Sequence, residues 1–144
     1  MKLTKHFTLR ELTKTNQPHD NTPDDQEVQN LIKTAVQMEA VRAILGNNPV
    51  VISSGFRSER VNKAVGGSNS SAHRTGEAVD FVCPKFGDVT AICLALAKSS
   101  IPFDQLIWEY GSWVHIGFRH NGKPRRQLLT KRSGKPYVEG VPGL

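Results

Sequence analysis

The chain has 144 residues, 38% of them apolar and 22% charged, which suits one globular domain with its own core and leaves out collagen, coiled coil and wholesale disorder. A net charge of +6 and a pI of about 9.6 favour polyanionic surroundings: nucleic acid, teichoic acid, lipopolysaccharide or an anionic membrane face, among which composition does not choose. The two cysteines, Cys83 and Cys93, are too few for a disulfide-stapled fold and read as reduced core thiols.

The first residues, Met1 to His6, hold no apolar stretch of the kind a signal peptide needs. No run approaches the ~18 apolar residues that span a bilayer. A cytoplasmic product is therefore expected, released by another agent if its substrate lies outside. Thr8 and Glu11 form a capping box for a short helix carrying Leu9 and Leu12. Thr15 to Asp24, with Pro18 and Pro23, is a connecting loop. A long helix follows, with Thr22 as cap, Pro23 in the first turn and acids at its positive end. Val28, Leu31, Ile32, Ala35, Val41, Ile44 and Leu45 recur along it at helical spacing, and Gly46 ends it.

Val50 to Ile52 reads as a buried strand, Ser58 to Val65 as a short helix closed by Gly66 and Gly67, and Ala78 to Val82 as a second strand. Val89 to Ala97 is a second packing helix, and Leu106 to Glu109 with Trp113 to Phe118 is a hairpin. From Asn121 the chain is basic and rich in Gly and Pro; a loop, one edge strand at Gln127 to Thr130 and a tail are expected. Interspersed helices and strands define an α+β domain: a small, mainly antiparallel sheet with helices packed on one face.

The chemistry sits in two segments. In the first, His73 and Asp80 are seven residues apart, which is not a spacing that aligns two ligands on a helix. Gly76 lies between them and can fold a loop histidine back onto a strand aspartate. In the second, a Tyr110-Gly111-Ser112 loop sets Glu109 opposite Trp113 and Ile107 opposite His115. Leu106, Trp108, Val114, Ile116 and Phe118 then form a consistently apolar face, the core side. Gln105, Ile107, Glu109, Trp113, His115 and Gly117 face a candidate cleft, with Glu109 and His115 as diagonal neighbours about 7–8 Å apart.

Two histidines and one carboxylate are a ligand set for catalytic zinc, which leaves one position for water and lowers its pKa toward about 7. Glu109 could take that water's proton, and Arg57 could clamp a substrate carboxylate. Each residue also has a structural reading. A sheet histidine is often a satisfied structural group, Glu109 could be a solvated hairpin end, and Arg57 could pair with Glu59 or a helix terminus.

The wording of these segments adds a resemblance. Ser54-Gly55-Phe56-Arg57-Ser58, Asn62-x-x-Val65-Gly66-Gly67, Ser71-x-His73-x-x-Gly76-x-Ala78-x-Asp80 and Trp113-Val114-His115-Ile116 resemble the zinc D-Ala-D-Ala carboxypeptidase family. That family includes VanX-type dipeptidases and phage L-alanyl-D-glutamate endopeptidases and shares its fold with the hedgehog signalling domain. The likeness runs from about Phe7 to Phe118, and Phe7 to Leu12 is similar to the start of small phage and prophage members. It implies zinc on His73, Asp80 and His115, Arg57 on a substrate carboxylate or carbonyl, and Ser71 near the bound substrate. One departure stands out. Many members carry the catalytic carboxylate three residues before the last histidine; here that is Ser112, and Glu109 is the candidate base.

The expected function is thus a zinc peptidase cutting the stem peptide of bacterial peptidoglycan, as a monomeric phage or prophage endolysin. The alternatives are a D-Ala-D-Ala carboxypeptidase or dipeptidase, and a zinc-stabilised wall-binding or phage tail module without turnover. The Lys123 to Lys135 stretch is a solvated surface or a contact for anionic envelope polymers. Nucleic-acid binding would rest on charge alone, with no recognition helix or stacking pattern. His6, His19, Glu77 and His120 are not counted as ligands.

Overall fold

The computed structural model describes residues 1–144. Thr8 and Glu11 form the expected capping box at α1 (Leu9–Thr13), which buries Leu12. The long helix α2 (Asp25–Ile44) is capped by Asp24 rather than Thr22. Asp24 Oδ1 accepts from the Glu27 N–H at 2.8 Å, and Glu27 Oε1 accepts from the Asp24 N–H at 2.9 Å. The reciprocal pair satisfies two free helix donors where Thr22 would satisfy one; the Thr22 hydroxyl instead donates to Asp20 at 2.6 Å. Leu31, Ala35, Met38, Val41 and Leu45 form the buried stripe of this helix and its cap, whereas Ile44, expected there, is exposed.

A six-stranded sheet supplies the other layer: β1 (Val51–Ser54), β2 (Ala78–Val82), β3 (Gln105–Glu109), β4 (Trp113–Gly117), β5 (Gln127–Lys131) and β6 (Val138–Glu139). Its order is β1-β2-β4-β3-β5-β6. Every neighbouring pair is antiparallel except β3 and β5, which run parallel. The α+β architecture is the expected one. On the apolar face Val79 and Leu106 flank Ile116, and Phe81 and Trp108 flank Val114. These side chains join α1, α2 and α4 (Val89–Ala97) in one core, where full burial of a Leu, Ile or Phe contributes roughly 1.5–3 kcal/mol. The short α3 (Glu59–Ala64) begins at Ser58, whose hydroxyl caps it.

Two expectations need correction. Val50 to Ile52 is not a strand buried on both faces: β1 starts at Val51 at the sheet edge, and Val51 is 49% exposed while Ile52 is in the core. The basic C-terminal stretch does hold the strand expected at Gln127 to Thr130, as β5, but inside the sheet rather than at an edge, and it adds β6 at the far edge where a tail was expected. Its cations have structural partners that composition alone does not reveal. The Arg126 guanidinium donates to the carbonyls of Ala97, Ser99 and Ile101, closing the C-terminal end of α4, and stacks on Phe103. Arg125 grips Asp104 with two guanidinium bonds of 3.1 and 2.8 Å, and its own N–H adds a third at 3.0 Å. Both cysteines are free and buried, and burial pushes the Cys93 thiol up to about 12.

Asp104 therefore ties β5 to β3. Its hydrogen bonds from Arg125, helped by the nearby Arg119 guanidinium, outweigh burial and hold its carboxyl below the ordinary carboxylate range. A lowered native pKa stabilises the fold fully above the unfolded value of about 3.9, and this stabilisation is lost as pH falls through the native value. Both arginines are nearly half exposed, which limits the effect to about 1 kcal/mol. Urea unfolding should show Asp104→Asn less stable than wild type by that amount at pH 7. The gap should shrink below pH 4.

Candidate metal centre

The polar face of the sheet is the floor of a cleft of about 800 Å³. Register sets its layout. Asp80 on β2 is paired with His115 on β4, and His115 with Ile107 on β3, so the three side chains share one row. One step along lies Glu109, opposite Trp113; one step the other way lies Gln105, opposite Gly117. The pairings of Ile107 with His115 and Glu109 with Trp113 are those expected from alternation. Gln105, Ile107, Glu109, Trp113 and His115 all line the cleft.

His73 arrives from outside the sheet. It lies in a single 3-10 turn, Ala72–Thr75, closed by Gly76 in a left-handed conformation with φ +80°. Helix α2 holds that turn: Asn30 donates to the Thr75 carbonyl at 2.9 Å and Thr34 to the Gly76 carbonyl at 2.7 Å. The Arg57 segment is stitched to the same turn. Its backbone N–H donates to the His73 carbonyl at 2.9 Å, and the Arg74 guanidinium donates to the Arg57 carbonyl at 2.9 Å. A Cβ at Gly76 would lie 3.0 Å from Leu31 and 3.1 Å from the Glu27 carbonyl. Positive φ and that crowding together should make Gly76→Ala cost about 2–4 kcal/mol in denaturant unfolding.

His73, Asp80 and His115 meet as one buried group, with a ligand atom from each within 4.8 Å of the others. Asp80 Oδ1 lies 3.2 Å from His73 Nε2 and 3.0 Å from His115 Nδ1. Arg57 Nη2 donates to Asp80 Oδ2 at 3.4 Å, while its Nε and Nη1 reach Ser54 (3.1 Å) and Asn62 (3.4 Å). The pairing with Glu59 weighed for Arg57 is not made. Burial would raise the Asp80 pKa, but the two imidazoles overcome it and hold the carboxyl far below its usual range.

The donor set fits a metal ion. His73 Nδ1 lies 2.7 Å from the Gly55 carbonyl, which can only accept, so the ring proton sits on Nδ1. Burial drives the His73 pKa down against the pull of Asp80, favouring the neutral ring. The Nε2 lone pair then faces a carboxylate oxygen at 3.2 Å, two acceptors that a cation between them reconciles. A backbone carbonyl on the remote ring nitrogen is the usual way a ligating histidine is oriented. Tetrahedral zinc with bonds of about 2.0–2.2 Å separates its ligand atoms by about 3.3–3.6 Å, close to the separations found here.

The other expected residues fall as follows. Glu109 is buried beside this group, and burial, reinforced by the Asp80 charge and opposed by His115, raises its pKa. Ser71 lines the cleft and its Oγ accepts from the His73 N–H at 3.2 Å. Ser112 is exposed in the hairpin turn, outside the cleft lining. His120 meets the Thr34 hydroxyl at 3.0 Å and stacks on Phe118, away from the metal group. Sequence reasoning missed Asn30 and Thr34, whose signal was two polar residues four apart on the buried stripe of α2. It also missed Arg125, Gln127 and Tyr137 as cleft residues, because nothing local ties the C-terminal stretch to the hairpin.

Fold and site together define a small α+β domain with a buried His-Asp-His group suited to zinc. The family model described as Peptidase M15 matches residues 5–117, and the chain belongs to that family. It is 37% identical over 51 residues to a protein named zinc D-Ala-D-Ala carboxypeptidase from Streptomyces albus G; the match covers 35% of this chain and 20% of that relative. The likeness thus spans about a fifth of the relative's length. No helix of the chain is long and apolar enough to cross a membrane.

Proposed function

We propose that the chain is a zinc peptidase hydrolysing a peptide bond in the stem peptide of bacterial peptidoglycan. In this reading it is a monomeric endolysin of phage or prophage type, made in the cytoplasm and released to the wall. The observation that carries it is the convergence of His73, Asp80 and His115 in one cleft that Glu109 also lines. When held by these three side chains, zinc supplies Lewis acidity that polarises a scissile carbonyl and brings the pKa of a bound water toward about 7.

The chain's own groups do the rest. The Glu109 carboxylate accepts the attacking water's proton and delivers it to the leaving nitrogen; its raised pKa brings it closer to that dual task. Arg57 steadies Asp80 through Nη2 and faces the cleft, where it meets a substrate carbonyl or carboxylate. Ser71 contacts the substrate backbone. Zymography on purified sacculi tests this: clearing is expected, and a chelator should abolish it. No clearing in either lane would overturn the assignment.

A D-Ala-D-Ala carboxypeptidase is the second reading, favoured by the name of the Streptomyces albus G relative. Mass spectrometry of digested muropeptides separates the two, through loss of one terminal alanine or a broken stem. A wall-binding or phage tail module without turnover would retain zinc and bind sacculi while releasing no fragments. The burial of Glu109 in the cleft supports turnover.

A further inference from the structure

The cleft continues past the metal group to an end lined by Asp104, Gln105, Arg119, Arg125 and Gln127. Gly117 carries no side chain into the path between. A Cβ there would lie 3.5 Å from His115 Nε2 and 3.9 Å from Ala72, on the same side of the sheet as the metal group. At this end two guanidinium groups share a single carboxylate. Arg125 Nε and Nη2 bind Asp104 at 3.1 and 2.8 Å, and Arg119 Nε lies 3.6 Å from it. Arg125 Nη1 and both terminal nitrogens of Arg119 have no partner among the hydrogen bonds of the chain. Glu77, also at the cleft wall, is already engaged by the Thr75 hydroxyl (2.7 Å) and the His120 N–H (3.0 Å). Beside the arginines, Gln105 Nε2 donates to Gln127 Oε1 at 2.8 Å across β3 and β5. That leaves one amide oxygen and one NH₂ group free to pair with a peptide unit.

We propose that this end is a subsite for a substrate carboxylate, held by Arg119 and Arg125, with the adjoining peptide unit read by Gln105 and Gln127. Three of its four residues, Arg119, Arg125 and Gln127, come from beyond the matched residues 5–117. Asp104 lies three residues along β3 from Ile107, the partner of His115. At about 3.3 Å per residue that is roughly 10 Å, so the bound carboxylate belongs two to three residues from the cut bond. The inference rests on the peptidase reading and deepens it to a preference for stem peptides with free carboxylates.

The test compares two sets of muropeptides, one with free stem carboxylates and one with these converted to carboxamides. A hydrogen bond to a charged group is worth about 1.5–3 kcal/mol, a factor of roughly ten to a hundred. Wild type should show a KM at least about tenfold lower for the free carboxylates, with similar kcat. Arg119→Gln should erase that preference by raising the KM for the free carboxylates to about that for the carboxamides. Arg119 holds Asp104 less closely than Arg125 does, so this variant keeps the fold; an unchanged thermal midpoint verifies that. Equal cleavage of both sets by wild type, or a preference surviving in Arg119→Gln, overturns the subsite. If wild type cuts neither set, the hydrolase reading fails. Calorimetric titration of the same peptides then decides the subsite: carboxylate-dependent binding lost in Arg119→Gln supports it, and no binding overturns it.

Discussion

An Asp80→Asn protein should purify without stoichiometric zinc and clear no sacculi. Asn keeps the shape of Asp80 but not its charge, and that charge is what His73, His115 and Arg57 converge on. Without it the ion would be held by two neutral rings beside an Arg57 guanidinium whose other partners, Ser54 and Asn62, are uncharged. The variant should also answer a chelator differently. A ligand present at a thousand times its Kd stabilises by about 4 kcal/mol, on the order of 10 °C in midpoint for a domain of this size. Chelation should lower the wild-type midpoint by that order and leave Asp80→Asn unmoved. Metal analysis and calorimetry with and without chelator read both effects. Full zinc occupancy in the variant would sink the ligand assignment.

The contrast between His115 and His73 shows which parts of such a centre a sequence reveals. His115 could be placed because strict alternation in the hairpin allows one register that keeps Leu106, Val114 and Ile116 on the core side. That register put Glu109 and His115 on one face. His73 could not be placed by periodicity, since it stands in a single turn whose geometry depends on Gly76 and on Asn30 and Thr34, more than forty residues away. The likeness to known zinc peptidases supplied what spacing did not. The place of the C-terminal strands was hidden for a related reason. Gln127 to Thr130 could be read as an edge strand but not as one joined parallel to β3 inside the sheet, and its flanking arginines look solvated until Asp104 and the carbonyls at the end of α4 are known to receive them. The shift of the α2 cap from Thr22 to Asp24 is a local competition between two good caps, settled by the reach of Glu27.

Glu109→Gln should separate binding from chemistry. Glutamine has nearly the shape of glutamate and accepts hydrogen bonds, but it cannot take up a proton at neutral pH. Glu109 makes no direct bond to His73, Asp80 or His115 in the hydrogen-bond network, so zinc content and thermal midpoint should be retained. A positioned general base contributes about 10²–10⁴-fold. The variant should lose kcat by that factor, with KM for muropeptides little changed, because proton transfer matters in the transition state more than in the bound complex. Ser112→Asp provides the counter-experiment. It restores a carboxylate where many relatives carry one, yet this position is in an exposed turn outside the cleft. Adding Ser112→Asp to Glu109→Gln should therefore recover nothing. Recovery would mean that the turn, not the strand end, presents the proton acceptor to the scissile bond.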